Sequence, residues 1–303
     1  MSKSWVTVVT SASYTIGAKV LAASLRETGS IYPLLILTTT ALPTESRLEM
    51  EAFGLQVRLV DPFLLDSVAA GDNRAAFAEA GNKLRAFALT EYETLGFIDA
   101  DTLVTQNIDH LLSIDHVQPD ELAIAFACTC NNRKKSFYPK EWTPQNCGHN
   151  RFQQYNHSPP LTLLDDTSVA VNSGVMVFKP SNRVCDMIEK FTTTHKHLVQ
   201  SYVFPDQQIL QDVFSNKIRI LPWKYNALKV LRACHKNLWD NGASNSEVHI
   251  VHYIHEKPWM RRCEARPYPQ DLPSSHDIDV DPTHVWWWHA HDTYLPREHQ
   301  LRL

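Results

Sequence analysis

Two carboxylates open the chemical reading of this chain. Asp99 and Asp101 flank Ala100 directly after the apolar run Leu95 to Ile98. A buried strand that ends in Asp-x-Asp places both carboxylates at the rim of a sheet, where they can hold a cation. Carboxylate oxygens suit Mg²⁺ or Mn²⁺, and an added imidazole tilts the choice toward Mn²⁺. The spacing alone is weak, because Asp277, Asp279 and Asp281 repeat it with no strand before them. The preceding apolar run separates the first pair from that control. A second segment, 248–259, carries His249, His252, His255 and Lys257. A histidine after a short strand can complete a three-ligand site, and a lysine close behind it can meet phosphate. With 15 histidines in the chain, one imidazole by itself carries little weight.

Other reactive residue types give less. Six cysteines, Cys128, Cys130, Cys147, Cys185, Cys234 and Cys263, are scattered through the chain and read as reduced thiols. Cys128-Thr-Cys130 lacks the two-residue spacing usual for zinc and has no second cysteine pair, so no metal is expected there. Trp286, Trp287 and Trp288 are adjacent, so on a helix they point in different directions and cannot share one core pocket. They read as a terminal helix packed over the domain, in preference to a sugar-stacking rim.

The elements that must position these residues follow from apolar periodicity. Val6 to Val9, Leu34 to Leu37, Gln56 to Val60 and Leu95 to Ile98 read as strands. Tyr14 to Glu27, a segment opened by Pro43-Thr44 and running toward Phe53, and Lys83 to Glu91 read as helices. Alternating strands and helices predict an α/β domain with a mostly parallel sheet covered on both faces. Ligands of such sheets sit beyond the carboxyl ends of the strands. Leu122 to Ala127 and Val175 to Phe178 are further strands, separated by a polar stretch, 131–166, that reads as an insertion or lid beside the site. The segment 261–282 reads as loop and 283–295 as a final helix.

The chain has 303 residues, 44% of them hydrophobic and 20% charged, and a formal net charge of −4. That balance describes a globular protein without a global attraction to nucleic acid or to acidic lipid. No apolar stretch is long enough to span a bilayer, and residues 1–9 lack the pattern of a signal peptide, so a cytoplasmic location is expected.

Taken in order, the segments resemble glycosyltransferase family 8, the family of glycogenin and galactinol synthase. The resemblance runs from Val6-Thr-Val-Val-Thr10, Tyr14 and Gly17-Ala-Lys-Val-Leu21 through Lys83-Leu-Arg-Ala-Phe87 to Phe97-Ile-Asp-Ala-Asp-Thr-Leu-Val104. It continues at Val171-Asn-Ser-Gly-Val-Met-Val-Phe178, Asp206-Gln207, Leu221-Pro222, Tyr225-Asn226, Val251-His-Tyr253 and Lys257-Pro-Trp259. The resemblance implies one GT-A domain over 1–303, with a Rossmann-like sheet. Residues 1–110 would form its nucleotide half, 111–260 its donor-sugar and acceptor half, and 261–303 a closing loop and helix.

Residue roles are likewise what the resemblance implies. Asp99, Asp101 and His252 would hold Mn²⁺ or Mg²⁺. Val8, Thr10, Ser11 and Tyr14 would line the uracil pocket, with Ser11 where the family often has Asn. Ala100 would lie against the ribose, and Lys83 and Arg74 would contact the donor. Asn172 and Ser173 would sit near the sugar, Asp206 and Gln207 near its anomeric carbon, and Lys257 at the diphosphate. The implied activity is retaining transfer of a hexose from a UDP-sugar to a separate small-molecule or glycan acceptor. Oligomeric state stays open, a homodimer included.

Two departures bear on this. The family usually has a glycine between the metal histidine and the lysine, near the position of His255. No tyrosine occurs from Asn226 to His252, where glycogenin carries the one it glucosylates, so a self-glucosylating primer is disfavoured. A non-catalytic UDP-sugar sensor of the same fold is a further alternative, against which the complete triad, Lys257 and Asp206 weigh. A nucleotidyltransferase ranks lower, because Thr10-Ser-Ala-Ser-Tyr14 is not a glycine-rich phosphate loop.

Overall fold

The computed structural model describes residues 2–65, 80–113, 117–157, 163, 164, 166, 168–240, 243–270 and 281–301. The first half follows the alternation of its sequence. β1 (Ser2–Val8) leads through a single turn into α1 (Thr15–Glu27), then β2 (Leu34–Thr38), α2 (Thr44–Ala52) and β3 (Gln56–Leu59). β4 (Tyr92–Ile98) carries the acidic pair at its end, and β5 (Thr102–Val104) follows at once. β6 (Leu122–Phe126) and β7 (Val171–Phe178) bracket the polar insertion. Then come α3 (Asn182–Thr194), α4 (Pro205–Val213), β8 (Ile218–Ile220), β9 (Ala227–Leu228), β10 (Ile250–His252) and α5 (His284–Tyr294).

Seven of these strands form one sheet in the order β3-β2-β1-β4-β7-β6-β8. Only β7 runs against its neighbours, so the sheet is mostly parallel, as expected. β7, from the second half of the chain, lies between β4 and β6, so the sheet draws on both halves. Strand alternation divides the core between its faces. Trp5, Ile36, Val175 and Val177 point to one layer with α1 and α5, while Val6, Leu35, Leu37, Met176 and Phe178 point to the other with α3 and α4. Gly96 makes room for Trp5: a Cβ there would fall 2.1 Å from the indole. β5, β10 and β9 form a small second sheet behind the acidic pair.

One element differs from its expected form. The helix expected over 83–91 is a 3₁₀ run, Ala80–Ala88. Asn82 Oδ1 accepts the Phe63 N–H at 2.7 Å, and a Cβ on Gly81 would fall 2.3 Å from the Phe63 carbonyl oxygen. The run is thus pinned at its start. At its end Tyr92 pairs with Ser2 of β1, so the chain turns into β4 before an α-helix can continue. Lys83 is consequently buried rather than solvated.

The final helix forms as expected, and its three tryptophans are 1%, 0% and 0% exposed. They face three neighbourhoods. Trp286 meets Tyr268 edge-on, with ring centres 5.2 Å apart. Trp287 packs on Trp259 at 5.5 Å. Trp288 donates its indole N–H to the Pro258 carbonyl at 3.1 Å, with Arg262 over its ring at 4.3 Å. The helix is buried on all sides from His284 to Trp288, which removes any need for a single shared pocket. Among the described residues no helix is long and apolar enough to cross a membrane.

Candidate functional site

Strand pairing assembles the triad. Asp99 leaves β4 with its N–H donated to the Gly174 carbonyl at 2.8 Å, and Thr102 Oγ1 donates to the Asp99 carbonyl at 2.8 Å, closing a tight turn into β5. β10 runs antiparallel to β5 with His252 opposite Thr102, and the Tyr253 N–H reaches the Asp101 carbonyl at 2.9 Å. That register brings an imidazole some 150 residues away in sequence onto the acidic pair. His252 Nε2 lies 3.4 Å from Asp101 Oδ1 and 3.9 Å from Asp99 Oδ2. One ligand atom from each of Asp99, Asp101 and His252 falls within 4.8 Å of the other two. Asp277 and Asp279 of the control triplet lie outside the described residues.

A chain of amides sets the tautomer of His252. The Gly174 backbone N–H can only donate, and it meets Asn172 Oδ1 at 3.0 Å, which fixes that atom as an acceptor. Asn226 therefore offers its Nδ2 to Asn172 Oδ1 (2.8 Å) and turns its Oδ1 toward His252 Nδ1 (2.9 Å). His252 must then donate from Nδ1, which leaves the Nε2 lone pair facing both carboxylates. This is the orientation that metal-bound histidines are given by their outer partners. Asn226 belongs to the Tyr225-Asn226 motif, but the motif by itself assigns it no role. Its signal is its place just before β9, which lies parallel to β10.

Two cations, Lys83 buried and Lys257 half-buried, flank the triad. Lys83 Nζ reaches Asp99 Oδ1 at 3.1 Å, Ser173 Oγ at 3.1 Å and Asp206 Oδ2 at 3.1 Å. Burial pulls the Lys83 ammonium down, but Asp99 and then Asp206 hold its pKa well above the usual lysine value. Lys257 Nζ donates to Asp101 Oδ2 and, at 3.0 Å, to the Tyr253 carbonyl. Burial raises the Asp101 carboxyl, yet the Lys257 ammonium opposes it, and the group is held well below the carboxylate range. Asp99 is pushed up, by burial first and then by Asp101, with Lys83 opposing. The result is a charged, mostly buried cluster with one strongly acidic member.

The remaining expected residues fall around this cluster unevenly. Ser173 Oγ bonds Asp206 Oδ2 at 2.5 Å, and Asn172 Nδ2 donates to Gln207 Oε1 at 2.7 Å, so β7 and the start of α4 form one polar wall. Tyr14 meets Trp259 edge-on at 5.4 Å, and Lys257 Nζ stands 5.8 Å from the Tyr14 ring centre. Val8 and Thr10 are half-buried at the end of β1, and Ser11 is exposed. Ala100 is buried, and its carbonyl oxygen would lie 2.5 Å from a Cβ on Gly17, which is why the first turn of α1 carries glycine there. Arg74 lies outside the described residues.

His255 explains the departure noted above. It adopts φ +66°, the left-handed backbone that favours glycine. A non-glycine residue there costs about 1–3 kcal/mol. Neighbours hold it: the Tyr138 hydroxyl lies 3.3 Å from His255 Nε2, and Glu256 pairs with Arg133. Burial, with Arg133, lowers the His255 pKa to about 4, so the ring is neutral at physiological pH.

The family model for glycosyl transferase family 8 matches residues 6–263. The chain belongs to glycosyl transferase family 8. Among curated relatives, UDP-glucuronate:xylan alpha-glucuronosyltransferase 1 of Arabidopsis thaliana is 27% identical over 95% of this chain and 37% of its own length. Glycogenin-1 of Caenorhabditis elegans is 28% identical over 86% of this chain and 51% of its own. Galactinol synthase 6 of Arabidopsis thaliana is 25% identical over 81% and 69%. The chain thus spans about a third to a half of the first two relatives. Galactosyltransferase LgtC, solved with donor and acceptor sugar analogues, superposes with a TM-score of 0.57 at 15% identity, covering 97% of this chain and 98% of that one. At that identity the likeness speaks for the fold, the GT-A architecture. The family 8 match spans both the acidic pair and Lys257.

Proposed function

We propose that this family 8 chain is a retaining, metal-dependent hexosyltransferase that moves a sugar from a UDP-hexose to the hydroxyl of a separate acceptor. The observation that carries the reading is the meeting of Asp99, Asp101 and His252, with Nε2 of the imidazole left free to ligate and with Lys83 and Lys257 beside it. The donor set, two carboxylates and one imidazole, fits Mn²⁺ or Mg²⁺. Such an ion supplies Lewis-acid stabilisation of the departing diphosphate.

The protein's own groups do the rest. Lys257 sets a fixed positive charge where the leaving diphosphate gains negative charge, so its effect is greatest in the transition state. Asn172 and Gln207, locked to each other, orient the hexose. Asp206, held by Ser173 and Lys83, stands where a carboxylate can stabilise an oxocarbenium-like carbon. Tyr14, Val8, Thr10 and Ser11 receive the uracil, and Ala100 faces the ribose. A separate acceptor, as for galactinol synthase, is favoured over self-glucosylation by the absence of tyrosine from Asn226 to His252.

A panel of UDP-sugars scored for UDP release tests this. Transfer should need Mn²⁺, stop after EDTA dialysis and return on Mn²⁺ addition. Full turnover in protein freed of manganese and magnesium would refute the reading. Gly174→Ala gives a sharper test. An added Cβ would fall 2.2 Å from His252 Cε1 and 2.5 Å from Nδ1, displacing the ring from Asn226. We expect the Mn²⁺ concentration for half-maximal activity to rise about 10–100-fold, the usual effect of losing an outer partner of a ligand. An unchanged Mn²⁺ titration would remove His252 from the site.

A further inference from the structure

Beyond this site, the fold brings a second set of ligating side chains together. Cys128 and Cys130 follow β6 directly, Cys147 opens the short helical turn Gly148–Arg151, and His235 ends the turn Leu231–Cys234. One ligand atom from each of the four lies within 4.8 Å of the other three. His235 Nε2 is 3.6 Å from Cys128 Sγ, 3.4 Å from Cys130 Sγ and 3.4 Å from Cys147 Sγ. The expectation that Cys128-Thr-Cys130 binds nothing rested on local spacing. Local spacing does not reveal the cluster, because Cys147 and His235 arrive from separate segments.

Hydrogen bonding cannot account for this arrangement. A neutral imidazole nitrogen has one lone pair and accepts one bond, yet three sulfurs crowd the same Nε2. A single cation among the four atoms satisfies all of them. In a tetrahedral zinc site, Zn–S of about 2.3 Å and Zn–N of about 2.0–2.1 Å put sulfur and nitrogen about 3.5–3.6 Å apart. The three distances seen here, 3.4, 3.4 and 3.6 Å, lie close to that edge. The thiols are free rather than paired as disulfides. Cys147 and His235 are 0% and 1% exposed, Cys128 is 9% exposed and Cys130 is half-buried; four protein ligands would complete a tetrahedral shell and leave no position for a substrate.

We propose that Cys128, Cys130, Cys147 and His235 bind a structural Zn²⁺ ion. Three thiols ligate as thiolates, releasing their protons to solvent, and the imidazole ligates as the neutral ring. The ion clips the long insertion to the turn before Leu238. Its effect reaches the transferase site through neighbours: Arg133, just past Cys130, pairs with Glu256, and Lys229 Nζ donates to the Glu256 carbonyl at 2.6 Å. Glu256 precedes Lys257, so the zinc clip braces the loop that carries the diphosphate lysine. The same segment lines a cavity of about 620 Å³ with Arg133, Lys134, Lys135, Lys229 and Arg232. Cys234 lies beside Cys128 and Cys130 but outside the four-residue group.

The test is elemental analysis of the chain purified in reducing buffer, which needs no activity. We expect zinc close to one equivalent, retained through the EDTA dialysis that strips Mn²⁺. Cys147→Ser and Cys130→Ser should each lose most of it, while Cys263→Ser keeps it. Cobalt exchanged into wild-type protein should show thiolate-to-cobalt charge transfer and the intense visible bands of a tetrahedral centre. Zinc-free wild-type protein that takes up none on addition would overturn the proposal. So would iron in place of zinc, or full zinc retention in both serine variants. Because the wild-type measurement stands alone, misfolding of a variant does not rescue the idea.

Discussion

Asp101→Ala should abolish sugar transfer while the fold survives. The carboxylate does two things at once: it faces His252 Nε2 at 3.4 Å and holds the Lys257 ammonium. Removing it deletes a candidate metal ligand and frees the lysine that would meet the diphosphate. Loss of one preorganised group at a developing charge typically costs about 10²–10³-fold in kcat. Here a ligand and a positioning contact go together, so a fall of at least that size is expected. UDP release from the best donor of the panel, with saturating Mn²⁺, reads it out. Asp101→Asn keeps the shape and should fall nearly as far, which separates charge from packing. Turnover equal to wild type in either variant would end the metal assignment. Far-ultraviolet circular dichroism should overlay wild type, because Asp101 lies in a turn outside both core layers.

The second large effect is on stability. Trp287→Ala should cost about 3–5 kcal/mol, the range for deleting a fully buried aromatic side chain. Trp287 is 0% exposed and packs on Trp259, Trp288 and His291. Urea unfolding should show a lower midpoint with an unchanged slope. Truncation after Pro282 removes all three tryptophans and should leave no cooperative transition. If instead the midpoint held and only acceptor affinity fell, α5 would be an acceptor rim and not part of the core. Loss of Trp287 also unseats Trp259, which presses on Tyr14, so weaker UDP binding is expected to accompany the stability loss.

Much of this protein was legible from its residues in order. Short apolar runs and helical stripes marked the strands and helices of the first half. They did so because local burial patterns there agree with the tertiary sheet. The acidic pair could be placed at a strand end for the same reason. The helix expected over Lys83 to Glu91 takes the 3₁₀ form and ends early because the pins on Asn82 and Gly81, and the pairing of Tyr92, come from residues far along the chain.

What tertiary structure alone decided was convergence. Sequence named Asp99, Asp101 and His252 as candidates, but the antiparallel register of β5 and β10 set the imidazole on the carboxylates, and Asn226 chose its tautomer. Cys128, Cys130, Cys147 and His235 show the limit more sharply. Ligands that share a short motif can be read from spacing. Ligands delivered by three separated segments leave no spacing to read, because the distances that matter are created only when β6, the insertion and the turn after β9 pack together.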